Sequence, residues 1–255
     1  MRTGLVGHTG FVGGTLTRSG VFDALYNSGN VEAMRGERFG LMVCAGVSAV
    51  KWQANREPAA DWAGIRRLMD ALDGADIEEL LLVSTIDVYP VPGAGGDEGT
   101  AIDAGANHAY GRHRYELERW CLERFPVVRV VRLPALFGPG LRKNAVYDLM
   151  HGNMVESINP AGVFQWYPVT RLWTDIGVVR REGLTVVNLF PEPLAMRAIM
   201  DGIFPGVAIG PAVEAGPRYD MQTRHGRLFG GDEHYVMGAE ASLAALADYV
   251  RGERR

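Results

Sequence analysis

The sequence predicts an α/β protein: a doubly wound parallel sheet with a small C-terminal substrate-binding part. Three observations carry this. The short strands of the N-terminal half are continuously apolar rather than alternating, as strands buried on both faces are. They alternate with helical patterns, the order that builds parallel sheets. A glycine-rich turn, Gly7-His-Thr-Gly10-Phe-Val-Gly13, follows the first strand and opens a helix.

The elements are expected in this order. Thr3–Val6 is a first strand, and the glycine turn leads into a helix to about Arg18. Val21–Tyr26 is a second strand, Val31–Arg35 a short segment, and Leu41–Ala45 a buried strand. A helix over Ala59–Leu72 places Trp62, Ile65, Leu68, Met69 and Leu72 on one face, with Pro58 at its start. Leu80–Val83 is a strand. Tyr110–Phe125 is a helix that Pro126 stops, and Val127–Leu133 a strand. Beyond Gly138-Pro139-Gly140 the pattern loosens. A helix and polar turn are expected over residues 141–160, and strands over Val163–Val169 and Leu184–Phe190. Helices are expected over Thr170–Arg181, Leu194–Ile203 and Ala239–Val250, and a loop over residues 205–217.

Composition narrows the function. The 255 residues carry 26 Lys+Arg against 30 Asp+Glu, a net charge of −4, which speaks against a nucleic-acid binder. No apolar run is long enough for a membrane span, and the first residues do not read as a signal peptide. The 2 cysteines, Cys44 and Cys121, are too few for a disulfide framework or a thiolate zinc site. The six histidines form no metal motif, so no metal is expected. A cytoplasmic location is the default. The 33 glycines exceed ordinary usage.

The glycine turn points to a dinucleotide. Glycines at 7, 10 and 13 let the backbone approach a pyrophosphate, and the helix N-terminus offers free N–H groups to the anion. Thr9, Phe11 and Val12 complete the turn. The second strand ends at Tyr26-Asn27-Ser28 without an acid. Asn27 and Ser28 can donate to a ribose hydroxyl or to a phosphate, so the reading leans to NADP over NAD. Tyr110 and Arg114 lie one helical turn apart on one face. An arginine there can stabilise a phenolate and make Tyr110 a general acid/base. Thr85 follows a strand end, where functional groups of open parallel sheets gather.

Five segments occur together: the glycine turn, Cys44-Ala-Gly46, Val83-Ser-Thr-Ile-Asp-Val-Tyr89, Tyr110-Gly-Arg-His-Arg114 and Val131-Arg-Leu-Pro-Ala-Leu-Phe-Gly-Pro139. In these the chain resembles the extended short-chain dehydrogenase/reductases of the NAD-dependent epimerase/dehydratase kind, in a subgroup with Tyr-x-x-x-Arg. The resemblance is strong over residues 1–140 and weaker afterwards. It implies a dinucleotide-binding Rossmann core of residues 1–138 plus about 163–190, with about 139–162 and 191–255 as the substrate-binding part. It makes Thr85 the residue that orients the substrate oxygen and Tyr110 the acid/base. Arg114 takes the place of the usual lysine on the nicotinamide ribose. Cys44, Ala45 and Gly46 would line the adenosine half of NADP or NAD, and Pro134 would face the nicotinamide. Asp61 stands where many members have asparagine.

The resemblance further implies an oxidoreductase acting on an alcohol or ketone of a carbohydrate-like or nucleotide-linked small molecule. A sugar epimerase ranks next. A dehydratase ranks third, because Ile86 beside Asp87 cannot move a proton. A sensor that binds NAD(P) without turnover is a further alternative, which the retained Tyr110 disfavours. Lys51, Trp52, Asn55, Arg142, Lys143 and Asn144 are candidate substrate contacts on loops. The stretch around Trp166 offers aromatic surface, and Asp87 joins the candidates. The partner is a hydroxylated small molecule. Neither nucleic acid nor membrane is expected. A homodimer through the helices 59–72 and 110–125 is open, their outer faces carrying Arg66, Arg67, Glu118 and Arg119.

Overall fold

The computed structural model describes residues 1–213 and 216–254. In chain order the main elements are β1 (Thr3–Val6), α1 (Phe11–Ser19), β2 (Ala24–Tyr26), β3 (Arg38–Cys44), α2 (Lys51–Arg56), α3 (Pro58–Asp73), β4 (Asp76–Thr85), α4 (Ala109–Arg124) and β5 (Val128–Leu133). There follow β6 (Ala135–Phe137), α5 (Ala145–His151), β7 (Val163–Phe164), β8 (Trp166–Pro168), α6 (Leu172–Arg181), β9 (Val186–Asn188), β10 (Leu194–Ala195), α7 (Met196–Ile203) and α8 (Ala239–Glu253).

The chain divides into two compact units. The first comprises Met1–Pro90, Ala101–Arg132 and Trp173–Val187, the second Val91–Thr100, Leu133–Leu172 and Asn188–Arg255. Residues 91–100, 133–138, 163–172 and 188–190 therefore pack with the second unit, although the expected core of 1–138 plus about 163–190 includes them. The loop expected over residues 205–217 includes 214 and 215, which lie outside the described residues.

The first unit carries a six-stranded parallel sheet in the order β2-β1-β3-β4-β5-β9. Met42, Val43, Leu80, Leu81, Val130 and Val131 are fully buried. Neighbours in a strand point to opposite faces, so both faces are covered, as their unbroken apolar runs require. The chain steps from β1 outward to β2 and then back past β1 to β3, which creates a switch point at the carboxyl ends of β1 and β3. Open α/β sheets bind ligands at such points. The classical dinucleotide order has one more strand outside β2. Here that stretch is a turn and a single 3-10 turn over Val31–Met34.

Several expected elements come out shorter or divided. The second strand begins only at Ala24, since Val21 lies open to solvent. Val163–Val169 is not one strand. Gln165 interrupts it: its buried side-chain amide donates to the carbonyls of Pro191 and Met221 and accepts from the Met221 N–H. β7 accordingly pairs with β10 and β8 with β6, in two small sheets of the second unit. α5 covers only Ala145–His151, because Gly152 turns left-handed and ends it. Leu194 and Ala195 pair with β7 before the helix begins. Lys51, Trp52 and Asn55 are not on a loop but on α2.

Candidate active site

The glycine turn closes as its spacing predicts. Gly7 has a φ of +90°, and a Cβ there would lie 2.2 Å from the Ala45 carbonyl oxygen. A Cβ on Gly13 would lie 2.0 Å from the Gly7 oxygen. Both positions need glycine, because the first turn of α1 packs directly on the loop after β1. Gly10 is the N-cap and provides no side-chain cap, so the first-turn N–H groups of α1 face outward without a side-chain partner. His8 Nδ1 contacts the Tyr26 carbonyl at 2.9 Å and ties the turn to β2.

Beyond the switch point lies a cavity of about 290 Å³, lined among others by Ser28, Gly46, Ser48, Glu57 and Asp61. Of Cys44, Ala45 and Gly46, only Gly46 lines it. Cys44 sits in the apolar core beneath the sheet end, where burial pushes its thiol up to about 11. Asn27 is half-buried and shapes the turn after β2. Its Oδ1 accepts from the Gly29 N–H at 2.8 Å, and its own N–H donates to Asn30 Oδ1 at 2.7 Å, which makes a closed polar turn.

Thr85 ends β4, and Tyr110 stands in the first turn of α4. Three features bring them together. His108 caps α4, its Nδ1 accepting from the Gly111 N–H at 3.0 Å. Asn107 Nδ2 donates to the carbonyls of Asp87 and Val88, each at 2.9 Å. Gly111 admits the close approach, since a Cβ there would lie 2.0 Å from the Asp87 oxygen. Asn55 Oδ1 accepts from the Tyr110 N–H at 2.9 Å and pins the helix start from α2. Thr85 stands close enough to the Tyr110 phenol to favour its ionised form, a smaller influence than burial.

Arg114 departs from the expectation. Its guanidinium lies over the Tyr110 ring, Cζ 3.8 Å from the ring centroid. Nη1 donates to Asp61 Oδ2 at 2.7 Å and to the Tyr110 carbonyl at 3.1 Å. Nη2 donates to Asp61 Oδ1 at 2.9 Å and to the Ser48 carbonyl at 2.6 Å. Four of the five N–H donors of an arginine are thus committed inside the protein, and only Nε–H is left over. His113 Nδ1 donates to the same Asp61 at 2.8 Å. Burial works against the Asp61 carboxylate, but the hydrogen bonds from Arg114 and His113 outweigh it and hold the group below its usual range. Burial dominates at Tyr110 and raises the phenol above its ordinary value, although Arg114 pulls the other way. The expected net lowering of Tyr110 by Arg114 is therefore not what the environment produces.

A second ion pair stands beside the first. Lys51 Nζ donates to Asp87 Oδ1 at 2.7 Å. The Lys51 and Arg114 charges, together with burial, lower the His108 imidazole, burial acting most strongly.

Below the site lies a buried network that the sequence did not announce. Tyr110, Arg114 and Glu118 share one face of α4 at helical spacing. Glu118 accepts from Ser84 Oγ at 2.5 Å and from Arg132 Nη2 at 2.6 Å, and Arg132 Nη1 donates to Tyr89 Oη at 2.7 Å. Glu118, expected on an outer face, is almost fully buried. The i, i+4, i+8 spacing was the available signal.

Pro134, Asn144 and Trp166 belong to the second unit. Asn144 is committed to structure. Its Oδ1 accepts from the N–H groups of Val146 and Tyr147, and its Nδ2 donates to the Leu136 carbonyl at 2.8 Å. Trp166 is buried on β8, packed near α8, and Ser242 Oγ donates to its carbonyl at 2.8 Å. It presents no stacking surface.

The sequence matches the model of the NAD dependent epimerase/dehydratase family over residues 37–175, which include Thr85, Tyr110 and Arg114. The chain belongs to this family. No curated protein sequence matches it. Solved structures share its fold at low identity. A dTDP-4-dehydrorhamnose reductase from Clostridium acetobutylicum superposes with TM-score 0.73 at 15% identity, covering 100% of both chains. A UDP-glucose 4-epimerase from Thermotoga maritima gives 0.72 at 14%, again covering 100% of both. A dTDP-glucose 4,6-dehydratase from Streptomyces venezuelae, solved with NAD, gives 0.76 at 16%, covering 100% of this chain and 97% of that one. Among the described residues, no helix is long and apolar enough to cross a membrane.

Proposed function

We propose that the protein is an NAD(P)-dependent oxidoreductase that acts on an alcohol or ketone of a carbohydrate-like, nucleotide-linked small molecule. The observation that carries this is the placement of Thr85 at the end of β4 beside Tyr110 in the first turn of α4, in the same unit as an uncapped helix N-terminus cradled by Gly7 and Gly13. The fit of a dinucleotide is supported by that cradle, which any Cβ would fill. Thr9, Phe11, Val12 and Gly13 would hold its pyrophosphate through backbone N–H groups, while the Gly10 N–H closes the turn on the Gly7 carbonyl at 2.9 Å. Ser28 and Gly46 would take the adenosine half in the cavity beside them. The lean to NADP rests on Asn27 and Ser28; Asn27 uses its Oδ1 to shape the turn, and its Nδ2 and the Ser28 hydroxyl would be the donors. When bound, the cofactor supplies or accepts a hydride.

The chain's own residues then manage the proton. Thr85 orients the substrate oxygen, and the Tyr110 phenol exchanges a proton with that oxygen. Arg114 stacks on the phenol ring and presents Nε–H. The Lys51–Asp87 pair offers a donor and an acceptor to substrate hydroxyls. The relatives of matching fold include enzymes named for nucleotide-linked sugars, which supports the substrate class.

The test follows loss of NADH or NADPH absorbance with a panel of nucleoside-diphosphate keto sugars. Saturable consumption is expected, with Tyr110→Phe lowering it by ~10²–10⁴. If the cofactor binds but no member of the panel is turned over, the sensor alternative takes precedence.

A further inference from the structure

Two cations face Tyr110, and each carries its own carboxylate. Arg114 on α4 is held in a two-pronged pair by Asp61 of α3. Lys51 on α2 is held by Asp87, just after β4. A lysine in the place of Arg114 would present a compact charge that can be aimed at the phenol oxygen. The guanidinium instead lies flat on the ring face, with both Nη groups turned to Asp61 and to backbone carbonyls. His113, which donates to the same Asp61, and His108, which caps the helix through its unprotonated Nδ1, complete the titratable groups around the phenol. Each of the two cations is thus paired with a carboxylate, and what remains of their pull on the phenol is outweighed by burial.

We infer that Asp61 is a positioning residue that holds and offsets the Arg114 charge and so keeps Tyr110 in its protonated form, the form from which reduction of a substrate carbonyl starts. The inference rests on the nicotinamide reading above and names the protonation state in which that site rests. The balance is as follows. The carbonyl carbon receives a hydride from bound NADH or NADPH, which becomes NAD⁺ or NADP⁺. The carbonyl oxygen receives the Tyr110 proton, and the carbonyl becomes an alcohol. The phenolate then recovers a proton from water. Alcohol oxidation begins instead with the phenolate, as does any epimerisation or dehydration that opens by oxidising a hydroxyl. That form is rare near neutral pH when burial raises the phenol and its cations are balanced. The protonated form that starts reduction is the populated one.

The experiment needs no substrate. The phenolate absorbance of the cofactor-free protein is titrated against that of its Tyr110→Phe counterpart, and the same is done in the Asp61→Asn background. In the wild type the Tyr110 midpoint is expected above the reference of about 10, or beyond the alkaline unfolding transition. In Asp61→Asn, whose fold is checked by circular dichroism, it should fall by about one to three units. Should Asp61→Asn not fold, Arg114→Gln is titrated instead: with its charge already offset by Asp61, its removal should move the midpoint by less than about one unit, and a rise larger than that overturns the inference. A wild-type midpoint at or below the reference overturns the inference, and so does a folded Asp61→Asn that leaves it unmoved. Because the titration is read without cofactor, its failure is distinct from a failure of NAD(P) binding.

Discussion

The glycine turn and the inner face of α4 are built by opposite means. The turn is made of backbone. Gly7, Gly10 and Gly13 matter for the side chains they lack; Gly10 and Gly13 pack on Gly7 within the turn, and Gly7 also abuts the Ala45 carbonyl beyond it. The α4 face is made of side chains whose partners come from far along the chain. Arg114 meets Asp61 of α3 and the Ser48 carbonyl, and Glu118 meets Ser84 of β4 and Arg132 of β5. A backbone site is specified by spacing alone, whereas a side-chain site is specified by pairing between elements.

The first way to break this comparison is to remove a distant partner. Glu118→Ala leaves the Arg132 guanidinium buried without its counter-charge, and losing one member of such a pair typically costs about 3–5 kcal/mol. Urea unfolding should show a loss of that order. A loss under ~1 kcal/mol would mean that Arg132 finds another partner and that the network does not tie α4 to the sheet.

The second removes a local constraint. Gly13→Leu places a branched side chain where even a Cβ would lie 2.0 Å from the Gly7 oxygen. NAD(P)H affinity should fall at least about 100-fold, roughly 2.7 kcal/mol, while the Tyr110 surroundings keep their near-ultraviolet dichroism. Unchanged affinity would remove the phosphate from this turn.

These two regions also mark what could be read from the sequence. Gly7, Gly13, Thr85, Tyr110 and Arg114 were legible because strand, turn and helix periodicities place them without tertiary knowledge. The parallel sheet was legible in the unbroken apolar strands. The Arg114–Asp61 pair was not, although both residues had been singled out, because nothing in one-dimensional spacing says that residues of two helices meet. Glu118 was assigned to solvent on composition, since a carboxylate is seldom buried without a partner, and the partner Arg132 lies on another strand. Trp166 and Asn144 carry functional side-chain types, yet local structure uses both. The split of Val163–Val169 depends on Gln165 bonding to residues far downstream.

A third and smaller effect sharpens the comparison through pH. The folded Asp61 titrates below its unfolded value of about 3.9. Its stabilisation is therefore fully present above about pH 4 and is lost as pH falls through the lower folded value. The urea midpoint of the wild type should drop in that acid window more steeply than that of Asp61→Asn. Parallel curves would show that the carboxylate contributes no linkage.

The measurement that bears most directly on the central claim is calorimetric titration of the wild-type protein with NADH and with NADPH. Saturable binding at one site per chain is expected with at least one of the two, and the preferred form settles what Ser28 recognises. Absence of heat and of any competition with both cofactors would contradict the account, because every role given to Thr85, Tyr110 and Arg114 requires a nicotinamide beside them.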